Sequence, residues 1–199
     1  MEFQPFEPGI EVNGQTVWSI VDGFMLSKAT PTRVLLEEGI GTLGPDGVVQ
    51  IDPAAWYSQE AWLRAFQKIS NALGMQVLLN IGKRIPENAI FPPWVVDVES
   101  AIKSVDIAYH LNHRKGGKVM FDLNTHEMLE GIGHYGFERP HPTKPLIVSE
   151  CRNPYPCAFD RGILSAMARR FAPTATVVHL DEHVCRRAGA EACTYHVKW

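Results

Sequence analysis

The chain has 199 residues, enough to bury a sizeable core in one domain with a small extension. An apolar content of 45% is that of an ordinary globular protein, and a net charge of −3 gives no electrostatic reason to expect nucleic acid. No run approaches the ~18–20 apolar residues that span a membrane. The opening MEFQPFEPGIEVNG lacks the basic start and apolar stretch of a signal peptide, so a cytoplasmic protein is expected.

Residues 1–50 read as a β-rich extension. Val12-Asn13-Gly14-Gln15 is a tight-turn sequence, with Asn-Gly supplying positive φ. Thr16 to Val21 is a strand candidate, and Leu43-Gly44-Pro45-Asp46-Gly47 is a second turn. A first long helix is expected from Asp52-Pro53, a cap followed by a proline at the first helical position. Trp56, Trp62, Leu63, Phe66, Ile69 and Leu73 carry its apolar face, and Gly74 stops it. A shorter helix covers Val77–Lys83, and Phe91-Pro92-Pro93-Trp94 is a rigid connector.

The next helix, Val98 to His113, has a polar oddity. Val98, Ile102, Val105 and Tyr109 form its apolar stripe, while Asp106, His110 and His113 share a face at i, i+4 and i+7. A carboxylate with neutral imidazoles is a donor set that zinc or non-haem iron accepts, and His134 or Glu130 could complete it. A solvated helix end is the plain alternative. Gly116-Gly117 closes the helix, and Lys118–Leu123 pairs with Met128–Phe137 across Asn124-Thr125-His126. The glycines of Gly131-Ile132-Gly133 suggest a bulge or a close approach to the backbone. Strand Leu146–Cys151, helix Phe159–Phe171 and a closing hairpin of Thr174–Leu180 with Cys193–Trp199 complete the order. Asp160 is read as a helix cap, the alternative being an ion pair with Arg161 or Arg152. Helices set against one antiparallel sheet make the expected fold class α+β.

All four cysteines, 151, 157, 185 and 193, lie in the last quarter of the chain. Without an export signal, thiols or a metal are expected rather than disulfides. Trp56, Trp62, Phe66 and Tyr109 could wall a small-molecule pocket, with His110, His134 and Tyr135 as its polar groups. No phosphate-binding glycine loop and no Gly-x-Ser-x-Gly elbow is present.

The C-terminal run, helix, strand, then Cys185-Arg-Arg-Ala-Gly189-Ala-Glu-Ala-Cys193-Thr-Tyr-His-Val, resembles the 4-vinyl-reductase domain. That family shares a fold with TRAPP vesicle-tethering subunits and haem nitric-oxide-binding domains. The likeness runs from about Pro53 to Trp199. It implies a ligand-binding domain over 53–199, with residues 1–50 outside it. The resemblance implies a sensor for a small apolar or aromatic ligand, acting through a regulatory protein partner or a homodimer. It also implies a structural zinc held by three cysteines and a glutamate, here Cys157, Glu182, Cys185 and Cys193. Cys151 and His183 compete with Glu182 for the fourth place. By position, His110 falls near the sensors' ligand-binding histidine, and His134 or Tyr135 near their aromatic residue. The haem branch of the fold carries a Tyr-x-Ser-x-Arg signature, which this sequence lacks. A haem or non-haem iron centre, as a gas sensor or enzyme, would use Asp106, His110, His113 and His134. Reduction of a vinyl group, after which the family is named, rests on no residue here.

Overall fold

The computed structural model describes residues 2–22 and 28–199. Strand β1 (Ile10–Asn13) leads directly into helix α1 (Gly14–Asp22), and α2 (Ala29–Glu37) follows. The short β2 (Thr42–Leu43) and β3 (Val49–Gln50) form a hairpin, and β4 (Trp56–Ser58) precedes α3 (Gln59–Leu73) and α4 (Met75–Arg84). After a 3-10 turn at Ile85–Asn88 come α5 (Val98–Leu111), β5 (His113–Lys115), β6 (Lys118–Val119) and β7 (His134–Tyr135). Strand β8 (Leu146–Arg152), α6 (Cys157–Phe171), β9 (Thr176–His179) and β10 (Cys193–Lys198) complete the chain.

The α+β expectation is met, with two antiparallel four-stranded sheets instead of one. Their orders are β4-β1-β5-β6 and β7-β8-β10-β9. The first fifty residues are not mainly β. Thr16–Val21 lies in α1, where Val17 and Val21, four apart, are buried and Trp18 is exposed. That is the helical period, and it overrides the β-branched content of the segment. Nor do these residues hang apart, because β1 pairs with both β4 and β5.

Boundaries moved for local reasons. Helix α3 starts seven residues after Asp52, capped by the Ser58 hydroxyl on the Ala61 amide at 3.3 Å. Asp52 instead accepts from the Ala54 amide in a turn, the other use of an Asx side chain. Helix α5 opens with a reciprocal capping box between Asp97 and Ser100. It ends at Leu111, and Gly116-Gly117 turns β5 into β6 instead of stopping the helix. The expected 118–137 hairpin is reduced to a single bridge, Phe121 with Met128, while β7 pairs with β8. Gly133 fits the expected close approach: a Cβ there would overlap the carbonyl oxygen of Arg152.

The core is one continuous cluster that runs from β1 and the first two helices through α3, α4 and α5 to α6 and the second sheet. Trp62, Leu63, Phe66 and Ile69 bury one face of α3, and Leu78 and Ile81 one face of α4. Helices α4 and α6 meet backbone to backbone through two glycines. A Cβ on Gly82 would overlap the carbonyl of Phe159, and one on Gly162 would overlap that of Leu79. Gly82→Ala and Gly162→Ala are each expected to lower stability by about 1–3 kcal/mol or more, because neither backbone can retreat without moving its helix. Urea unfolding midpoints read this; wild-type midpoints in both variants would disprove the tight crossing.

Candidate functional site

A cavity of about 180 Å³ lies between α5, α6 and the 85–94 connector. Its wall is mainly apolar: Ile85, Phe91, Val105, Ile107, Leu111, Phe159, Ile163 and Met167 contribute. The exposed Ile90 and Trp94 stand at its rim. The polar groups of the wall are mostly occupied. The Tyr109 hydroxyl donates to the Ile132 carbonyl (2.7 Å), and Tyr135 donates to Asp160 (2.6 Å). The wall histidine, His113, uses both ring nitrogens, on the Tyr109 carbonyl (2.6 Å) and the Tyr155 hydroxyl (2.8 Å). Trp62 differs. Its indole N–H is buried and has no hydrogen-bond partner.

The structure divides the residues expected to form one pocket. Trp62, Tyr109 and Tyr135 do line the cavity. Phe66 lies behind Trp62, ring centroids 4.4 Å apart, as core. Trp56 is away from it, under the Arg114 guanidinium. His110 and His134 face each other elsewhere, centroids 4.9 Å apart, beside Asp106. His113 leaves that group because α5 ends before it; the i+7 relation fails once the residue belongs to β5.

Beneath the cavity sits a buried polar knot. Arg186, in the loop between β9 and β10, pairs with Asp160 on α6 and also donates to the side chain and carbonyl of Asn153. Tyr135 and Asn153 donate to the same Asp160 carboxylate. Asp160 therefore does not cap α6, whose N-cap is Pro156; it is the acceptor for three donors from three segments. Sequence spacing brought neither Arg186 nor Asn153 to notice.

Arg186 also connects to the thiols. Its amide and Nε donate to Cys193 Sγ at 3.4 and 3.5 Å. A hydrogen bond from the Cys157 thiol, with the nearby Arg186 charge, pulls the Cys193 thiol down to about 4. The same bond and burial push Cys157 up. Cys193 and Cys185 stand 3.6 Å apart, too far for a disulfide, and all four cysteines are free. His179, Cys185 and Cys193 offer ligand atoms within 4.8 Å of one another, as do Glu2, Cys157 and Cys185. The Nε2 of His179 is buried and unpartnered. Among the described residues Glu182 and His183 are exposed and outside these groups, as is the buried Cys151, which pairs with Cys193 across the β8–β10 ladder. His179 and Glu2 are the donors that the sequence reading missed. His179 reaches the thiols through strand register, opposite Tyr195, and Glu2 through a bond to the Cys157 amide at 2.7 Å.

Two outcomes follow from this geometry. Arg186→Met should cost about 3–5 kcal/mol, because Asp160 is left as a buried charge, and adding Asp160→Leu should recover much of it. Chemical denaturation of both variants measures this; a double variant no better than the single one contradicts the pairing. Burial holds His113 down to about 4, against roughly 6.5 in an unfolded chain. Its contribution is complete above pH 6.5 and lost as pH falls through 4, roughly 3 kcal/mol in all. His113→Gln should remove that part of the acid-side slope of stability; an unchanged slope would show that His113 is not held neutral.

No family model and no curated protein matches the chain. Solved structures do. An H-NOX protein from S. oneidensis in the Fe(II)NO ligation state superposes with a TM-score of 0.61 at 15% identity, over 94% of this chain and 98% of that one. An oxygen-binding H-NOX domain related to soluble guanylate cyclases, in its oxygen complex, gives 0.57 at 16%, over 94% of both chains. An H-NOX domain from Shewanella oneidensis in its Fe(II)CO ligation state gives 0.60 at 15%, over 94% and 97%. At these identities the likeness is one of architecture: the chain has the fold of H-NOX domains, and its first fifty residues are largely included in it.

Proposed function

We propose that the chain is a small-molecule-binding sensory domain, with the cavity beside α5 as its ligand site. The observation that carries this is the cavity itself: apolar, about 180 Å³, and edged by one buried, unsatisfied donor, Trp62 Nε1. A void of about 150 Å³ takes benzene, whereas drug-sized ligands occupy about 300–1,000 Å³. The ligand class is then a compact apolar or aromatic molecule with one hydrogen-bond acceptor for Trp62. This agrees with the resemblance to 4-vinyl-reductase domains. Output runs through a protein partner or a homodimer.

Haem-based gas sensing is the second reading, and the structural neighbours favour it over the aromatic one. Their names mention Fe(II), nitric oxide, oxygen and haem. The residues on this cavity's wall do not fit haem as they stand. His113 has no nitrogen free for iron, Tyr135 is committed to Asp160, and the Tyr-x-Ser-x-Arg signature is missing. No step is therefore assigned to haem.

Zinc at the thiols belongs to the same proposal, as a structural metal. Cys185, Cys193 and His179, whose Nε2 is buried and free, form one donor group, and Cys157, hydrogen-bonded with Cys193, is the neighbouring fourth donor of a chemically suitable set. Such a site would tie β9 and β10 to the start of α6.

Acetophenone and ethylbenzene, similar in size, test the ligand reading by titration against intrinsic fluorescence. Acetophenone should bind more tightly, Trp62→Phe should erase the preference, and Ile107→Trp, which fills the cavity, should abolish binding of both. Binding that survives Ile107→Trp unchanged would place the ligand elsewhere.

A further inference from the structure

One donor cluster belongs neither to the cavity nor to the thiols. Asp106 and His110 on α5 and His134 on β7 each offer a ligand atom, and these atoms lie within 4.8 Å of one another. None of the three lines the cavity. His110 is fully buried, and its Nδ1 bonds the backbone carbonyl of Asp106 at 2.8 Å. A carbonyl can only accept, so Nδ1 carries the proton and Nε2 keeps its lone pair. That Nε2 is buried without a hydrogen-bond partner. A backbone carbonyl that fixes the tautomer while leaving the other nitrogen bare is the usual arrangement behind a metal-bound histidine.

His134 differs: both its ring nitrogens have carboxylate partners, so a metal would take the place of the proton shared between its Nδ1 and Asp106. Its Nδ1 faces Asp106 Oδ2 at 3.0 Å and its Nε2 faces Glu130 Oε2 at 3.1 Å. The other Asp106 oxygen accepts the Tyr135 amide at 2.8 Å, which orients the carboxylate. We infer that Asp106, His110 and His134 form a mononuclear site for a divalent transition metal. His110 would bind through Nε2, since its Nδ1 is held by the Asp106 carbonyl, together with Nδ1 of His134 and Oδ2 of Asp106. Glu130 accepts the remaining His134 N–H. Two imidazoles and one carboxylate select zinc, iron(II), cobalt(II) or nickel(II) over magnesium and calcium, which prefer oxygen. The Asp106 side chain is 20% exposed and that of His134 38%, so open coordination positions face water.

Cobalt(II) titration of the full, chelator-treated chain tests this, because the thiol cluster reports separately through sulfur-to-cobalt charge transfer. One equivalent should bind with d–d absorption and no charge-transfer band. Asp106→Asn and His134→Ala should each weaken that equivalent about 10-fold or more, leaving the charge-transfer signal intact. His134 is partly exposed, so its variant is expected to fold; circular dichroism verifies it. Glu130→Gln, at an exposed position, should weaken binding less than either. Cobalt that binds only with charge transfer, or binds equally well to both ligand variants, overturns the site. Neither residue lines the cavity, though Asp106 holds the backbone amide of the wall residue Tyr135, so the cavity reading is tested by its own titration of the wild-type chain.

Discussion

The ion pair between Arg186 and Asp160 is the constraint on which the rest of the structure depends. Both side chains are fully buried, and they come from the last loop and from α6. Two buried charges are tolerated only when their remaining hydrogen-bonding capacity is met. Here Asn153 and Tyr135 meet it, which brings the end of β8 and strand β7 to the same point. A single carboxylate thus joins β7, the end of β8, α6 and the last loop.

The two chemically distinctive regions lie on either side of that knot. On one side, the Arg186 amide and Nε donate to Cys193 Sγ, which lies beside Cys185 and His179. On the other, Tyr135 is held by Asp160 so that its ring, packed on Tyr109, forms part of the cavity wall. A change at the thiols therefore has a short covalent and hydrogen-bonded route to the cavity, through Arg186, Asp160 and Tyr135.

The four later helices were legible in the sequence because their apolar periodicity is clear, and α3 and α6 needed only correction of their first residues; α2, inside the segment read as β-rich, was not read at all. Thr16–Val21 was misread because β-branched residues are equally at home in strands, and only the burial of Val17 with Val21 distinguishes the two. The cavity aromatics Trp62, Tyr109 and Tyr135 could be named from composition and the resemblance. Their separation from His110 and His134 could not, since opposite sides of α5 differ by a rotation that spacing alone does not assign to a partner. Arg186 and His179 were invisible for a further reason. An arginine beside a cysteine and a histidine in a short strand look like surface residues until strand register and loop closure bury them. Asp160 shows the same limit: an acidic residue in the first turn of a helix is usually a local cap, and only tertiary structure supplies Arg186.

What most directly tests whether this fold serves a small apolar ligand here is the absorption spectrum and elemental content of the full chain, purified from cells given both iron and a haem precursor. The expected result is a protein without a Soret band, carrying zinc bound through sulfur. A Soret band with one iron per chain would contradict it, showing that His113 or another histidine gives up its present partners to hold haem.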